Sequence, residues 1–146
     1  MGEKIYGLEV RVQLVRDSNN VKGPKIKKPE DVYELVEYLK ESDREQFLTI
    51  CLNTRNDVLS IETTAIGTMT ANLVHPREVF KTAILQNAAG IIIAHNHPSG
   101  DPEPSDDDIK ITNRLKECSK ILEIELLDHV IVGSSSFKSL KGEGKM

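Results

Sequence analysis

A mixed α/β or α+β layer fold is expected for this chain, and three observations carry that expectation. Several short stretches are apolar in alternation or in continuous β-branched runs, the patterns of half-buried and fully buried strands. Stretches of helical spacing open at Pro29, Pro76 and Ser105 and are interleaved with those strands, which excludes a bundle or a sandwich. The 146 residues fit one domain, and 38% hydrophobic against 29% charged residues is the composition of a globular protein.

In chain order, Leu8, Val10, Val12 and Leu14 alternate with polar residues and predict a strand. Asp17 to Pro29 breaks the pattern with Ser, Asn, Gly, Pro and the lysines Lys22, Lys25, Lys27 and Lys28. Such a run is able to meet a phosphate or an acidic partner, but a solvated loop accounts for it. Pro29 and Glu30 open a helix to about Leu39, with Val32, Leu35, Val36 and Leu39 on one face. Phe47 to Leu52 and Val58 to Ile66 read as strands joined by the turn-forming Asn53–Asp57, and Ala71 to Val74 as a further short strand. After His75-Pro76 comes a helix with Val79, Phe80, Ala83, Ile84 and Asn87 along one face. Gly90 to Ala94 is continuously apolar, a strand covered on both sides. A Pro/Gly-rich loop follows, then a helix from Ser105 to about Lys120 that buries Ile109, Leu115 and Cys118. His129 to Val132 and Phe137 to Leu140 close the sheet. The chain divides into an N-terminal strand and loop (1–28) of the same domain, a core domain (29–140) and a polar tail (141–146) expected to fray.

Charge and cysteine content narrow the function classes. Nineteen Lys+Arg against 23 Asp+Glu leave a net charge of −4, which argues against nucleic acid as the main ligand. Cys51 and Cys118 form no CxxC pair and suit a reducing cytoplasm. The start has no apolar signal core, and the longest apolar stretch, Ala88 to Ala94, is far short of a membrane span, so no membrane role is expected.

The chemistry concentrates in residues 94–108, AHNHPSGDPEPSDDD. His95 and His97 lie at i and i+2 where a buried strand ends, a spacing that turns both imidazoles to one face and toward one ion. Ser105 follows eight residues after His97 and Asp108 three residues later, giving H-x-H-x7-S-x2-D. Ser105 and Asp108 also suit a helix start without any metal, as N-cap and N3 residues. Given an H-x-H, the chance of both at those offsets is on the order of one in a few hundred at ordinary residue frequencies. A capped first turn is rigid, so the two roles are compatible. Asn96, Ser99 and Asp101 are expected to shape the loop, Asp101 with a possible part in orienting an imidazole. His75 and His129 are read as hydrogen-bonded structural histidines.

H-x-H-x7-S-x2-D resembles the JAMM (MPN+) metal-binding motif. VHPRE at 74–78, NAAGIIIAHNHPSGDPEPSDDD at 87–108 and LLDHVIVG at 126–133 resemble the RadC-like branch of the JAB/MPN domains. The likeness covers about Leu39 to Leu140. It implies a curved mixed sheet flanked by helices, a cytidine-deaminase-like architecture, and one zinc ion held by His95, His97, Asp108 and a water. It assigns Ser105 to support of a tetrahedral intermediate. It also requires an upstream glutamate before a core strand as the base, and Glu45 matches, whereas spacing alone leaves Glu41 and Glu62 open. The function so implied is zinc-dependent hydrolysis of a peptide or isopeptide bond in a protein or peptide substrate. The alternatives are a non-catalytic binding or adaptor module and a DNA-repair-associated accessory protein. Longer RadC-type proteins carry an N-terminal helix-hairpin-helix region, and residues 1–28 show no such pattern, which weakens the DNA reading.

Overall fold

The computed structural model describes residues 23–146, together with Gly2, Gly7 and residues 10–13. Helix α1 (Pro29–Val36) passes through a 3-10 turn (Glu37–Glu41) into strand β1 (Gln46–Leu52), which pairs with β2 (Val58–Ile66). Helix α2 (Pro76–Leu85), strand β3 (Gly90–Asn96), helix α3 (Asp106–Leu122) and strands β4 (Glu125–Val132) and β5 (Phe137–Ser139) complete the order. The five strands form one sheet in the order β2-β1-β3-β4-β5. Only the β3–β4 neighbours run parallel, joined through α3, while every other pair is antiparallel. This is the mixed α/β architecture expected from the interleaved periodicities.

Strand residues alternate between two cores. Leu48, Ile50, Leu52, Ile92, Ala94, Val130 and Val132 pack with Val32, Val36 and Leu39 on the α1 side. Phe47, Cys51, Ile91, Ile93 and Leu126 pack with Val79, Phe80 and Ala83 of α2 and with Ile111 and Leu115 of α3 on the other. Because β3 is covered on both faces, it needs an apolar residue at nearly every position, and Gly90–Asn96 is buried throughout. His95 continues the series Ile91, Ile93 and therefore points to the α3 side.

Several expectations need correction. Of the strand read over 8–14, Leu8, Glu9 and Leu14 lie outside the described residues. Residues 10–13 take no regular secondary structure, and Val10 and Val12 are 79% and 68% exposed. Alternation is a weak prior that tertiary pairing must complete. Of the loop at 17–29, residues 17–22, including Lys22, lie outside the described residues. Lys25 is bridged to the β1–β2 turn by backbone pairing with Asp57 and a 3.4 Å ion pair. Ala71 to Val74 is a turn and not a strand, because the Thr70 carbonyl and hydroxyl capture the Leu73 amide at 3.1 and 3.3 Å. Ile84 is 52% exposed and Asn87 lies beyond the end of α2. On α3 the buried stripe is Asp108, Ile111, Thr112, Leu115 and Ser119, leaving Ile109 and Cys118 half-buried. The tail is tied back rather than frayed: the Lys145 amide reaches the Leu140 carbonyl at 2.8 Å, and Met146 packs against the α2–α3 core.

Candidate metal centre

The carboxyl end of β3, the start of α3 and the segment before β1 converge on one small volume. His95 is the last but one residue of β3 and is fully buried. His97 follows the strand, its amide held by the Val132 carbonyl at 2.9 Å. The loop after it folds back tightly, with the Gly100 amide on the His97 carbonyl at 2.9 Å and Gly100 in left-handed backbone at φ +90°. A Cβ on Gly133 would meet the Gly100 carbonyl oxygen at 2.4 Å, so only glycine lets the β4–β5 turn lie against this loop. The returning chain starts α3 with a capping box: the Ser105 Oγ accepts from the Asp108 amide at 3.1 Å, and the Ser105 amide donates to Asp108 Oδ2 at 2.9 Å. Capping thus presents Asp108 to the histidines and does not compete with a ligand role.

The resulting distances are short. The Nε2 atoms of His95 and His97 are 3.1 Å apart, His95 Nε2 lies 3.1 Å from Asp108 Oδ1, and His97 Nε2 lies 3.0 Å from Asp108 Oδ2. Donors bound tetrahedrally at zinc–nitrogen lengths of 2.0–2.1 Å are ~3.3 Å apart, so this donor set is already spaced for such an ion. Its chemistry agrees: two imidazole nitrogens and a carboxylate, nearly dry, all aim at one point, which a cation accommodates.

Each ligand candidate is held from behind. His97 Nδ1 donates to the Asp101 carbonyl at 2.8 Å, so Nε2 is the nitrogen that faces Asp108 and that supplies the lone pair of the neutral ring. Asp101 therefore does orient an imidazole, through its main chain rather than its carboxylate. His95 Nδ1 meets His129 Nε2 at 2.8 Å, His129 Nδ1 meets the Thr112 hydroxyl at 2.6 Å, and that hydroxyl reaches the Asp108 carbonyl at 2.7 Å. Phe47 stacks on the His95 ring with centroids 5.8 Å apart.

Burial opposes ionisation of Asp108, yet the hydrogen bonds of both imidazoles, the charge of His95 and the Ser105 amide hold its carboxyl far below the usual carboxylate range. Burial likewise works against the His97 imidazolium, but the Asp108 carboxylate and the Asp101 carbonyl raise its pKa above the ordinary value. Complete burial, and next the charge of His95, push His129 well below the ordinary histidine value.

Glu45 joins the two histidines: one ligand atom from each of Glu45, His95 and His97 lies within 4.8 Å of the others. One Glu45 oxygen accepts from the Met69 amide at 2.8 Å, which fixes the carboxylate. Asn96, between the two histidines, clamps the backbone on either side of Glu45. Its Nδ2 donates to the Arg44 carbonyl at 2.9 Å and its Oδ1 accepts from the Gln46 amide at 2.8 Å. Of the alternatives, Glu41 is an exposed residue at the end of the 3-10 turn and Glu62 is engaged by the Thr82 hydroxyl on the α2 side. The residues that the sequence did not single out are Thr112, the Met69 amide and the bond from His129 to His95. Thr112 had a signal, since i+4 from Asp108 puts it on the same helix face.

An α/β domain with a two-histidine, one-aspartate cluster at the carboxyl end of its central strand defines a JAB-type domain with a candidate metal centre. The RadC-like JAB domain family model matches residues 26–145, and the chain belongs to that family. It is similar to UPF0758 proteins. That of Desulforamulus reducens is 54% identical over 120 residues, 82% of this chain and 53% of the relative. That of Methanosarcina barkeri is 47% identical over 121 residues, 82% of this chain and 53% of the relative. That of Shouchella clausii is 47% identical over 138 residues, 94% of this chain and 60% of the relative. The chain spans about half the length of the first two relatives. Among the described residues, no helix is long and apolar enough to cross a membrane.

Proposed function

We propose that this domain is a zinc-dependent hydrolase that cleaves a peptide or isopeptide bond of a protein or peptide substrate. The observation that carries the reading is the pre-spaced triangle of His95 Nε2, His97 Nε2 and the Asp108 carboxylate, at 3.0–3.1 Å, with the Glu45 carboxylate beside it. His95, His97 and Asp108 would hold one zinc ion. When bound, zinc lowers the pKa of a coordinated water to about 7 and polarises a carbonyl.

The chain's own groups supply the proton traffic. Glu45 has one oxygen fixed by the Met69 amide, leaving the other to take the proton of the attacking water and return it to the departing amine. The Ser105 Oγ accepts the Asp108 amide through a lone pair, so its own proton remains to donate to the oxygen that becomes negative. A donor of that type contributes about 2.7–4 kcal/mol to amide hydrolysis. We assign the activity to the cytoplasm, in keeping with the two cysteines being free thiols.

The test is hydrolysis of a panel of peptide and isopeptide substrates by the zinc-loaded protein. Activity that disappears with a chelator, returns with zinc and is absent from Glu45→Gln supports the reading. Full zinc occupancy with no cleavage across the panel would favour a binding or adaptor role.

A further inference from the structure

A closed chain of hydrogen bonds runs from the main chain of one ligand candidate to the ring of another. We infer that Thr112 and His129 are positioning residues that fix the tautomer of His95, holding its proton on Nδ1 and presenting Nε2 as a lone pair to the metal. The inference rests on His95 being a ligand, as proposed above.

Counting protons gives the direction. The Asp108 carbonyl oxygen can only accept, so the single proton of the Thr112 hydroxyl, 2.7 Å away, points to it. That hydroxyl can then only accept from His129 Nδ1 at 2.6 Å, so the His129 proton sits on Nδ1. A fully buried neutral imidazole carries one proton, which leaves His129 Nε2 as an acceptor. His95 Nδ1, 2.8 Å from it, must donate, so the neutral His95 ring that binds a metal carries its lone pair on Nε2, the atom facing Asp108 and His97. Reversing any one bond would put a proton on His95 Nε2, where a metal would have to displace it. A lone threonine hydroxyl on the buried face of α3 thus sets the polarity of three bonds, because its neighbour is a helix carbonyl that cannot donate. A serine would do the same, whereas valine, with the same shape, would not.

The experiment uses the full chain with zinc alone as the ligand. Long-range proton–nitrogen spectra of the zinc-loaded protein report which ring nitrogens carry protons, and chelator competition reports affinity. The expected spectrum has His129 protonated at Nδ1 with Nε2 bare, and His95 protonated at Nδ1. Thr112→Val should weaken zinc binding about 10–100-fold, the size known for partners that orient a metal's ligands, and Thr112→Ser should restore it. A merely structural role for Thr112 would alter stability without changing the protonation pattern. A proton on His129 Nε2, or wild-type affinity in Thr112→Val, overturns the inference while leaving the metal centre intact. If Thr112→Val does not fold, the wild-type spectrum still decides. Failure of the wild-type protein to bind zinc would overturn the metal centre first, and this inference with it.

Discussion

The two faces of the central sheet use the same strands for different ends. On the α1 side, Leu48, Ile50, Ala94, Val130 and Val132 meet Val32, Val36 and Leu39 in an apolar core, at whose edge the buried Ser139 hydroxyl donates to the Asp128 carboxylate. On the α3 side, the same strands alternate Phe47, Ile91 and Ile93 with His95 and His129, which face Asp108 and Thr112. One face gains stability by removing apolar surface from water, at about 25 cal/mol per Å². The other spends part of its burial on polar groups whose cost is met only when each is hydrogen-bonded, and it does so at the carboxyl end of β3, next to the switch from antiparallel to parallel pairing. Stability and chemistry are therefore separable by face, and substitutions on the two sides should fail in different ways.

The largest separation is expected at Glu45. Glu45→Gln should retain zinc and stability and lose about 10²–10⁴-fold in turnover, the usual range for removing a general base, as steady-state kinetics would show. Equal turnover in the variant would remove Glu45 from the mechanism. Leu39→Ala, on the apolar face, is its mirror image. It should cost about 2–5 kcal/mol in denaturant unfolding and leave zinc affinity within a factor of two, because Leu39 is fully buried in the apolar cluster on the opposite face of the sheet.

Asn96 sits on β3 between the two histidines and sharpens the contrast. Asn96→Ala would orphan the Gln46 amide, at about 1–3 kcal/mol for a group left unsatisfied, and would take one of two donors from the Arg44 carbonyl, which keeps the Ser42 hydroxyl. It should reduce turnover more than zinc affinity, since what it releases is the backbone around Glu45.

The smallest effect is a pH dependence. The His97 pKa is raised, so the zinc-free site holds a proton there up to a pH above the ordinary 6.5. Zinc must displace that proton. Apparent affinity should therefore begin to fall at a pH somewhat above 6.5 and lose about tenfold per unit below it, while the depressed Asp108 stays ionised and adds nothing in that range. The sign for folding is opposite. Without zinc, the His97–Asp108 contact adds stability that is fully present below pH 6.5 and is lost as the pH rises through the raised pKa. His129, whose pKa is lowered, opposes this by favouring the folded state as the pH rises toward 6.5. Calorimetric zinc titrations between pH 5.5 and 8 would show the slope, and a flat profile would contradict the raised pKa.

The apolar face was easier to read from the sequence than the polar one, for a physical reason. Period-two and helical spacing are local signals, so the strands at 47–52, 58–66 and 90–94 and the helix starts at Pro29, Pro76 and Ser105 could be placed within a few residues. His95, His97, Ser105 and Asp108 were visible because a strand end, a stiff loop and a capping box are also local. The contact between Thr112 and His129 is not local: the i+4 spacing from Asp108 places Thr112 on the ligand face and His129 reads as a hydrogen-bonded histidine, but their meeting depends on how α3 lies over β4, and no spacing encodes that. Residues 71–74 have a strand-like pattern yet form a turn, because Thr70 captures amides that a strand would use. Glu45 needed the family motif, since a single glutamate near a helix end carries no signal of its own.

The metal centre is tested at its root by the zinc content of the purified protein and of Asp108→Ala after equilibration with micromolar free zinc. One zinc per wild-type chain and none in the variant is the expected result, with both folded. A wild-type chain that takes up no zinc, or a variant that binds it as tightly as the wild type, would contradict it.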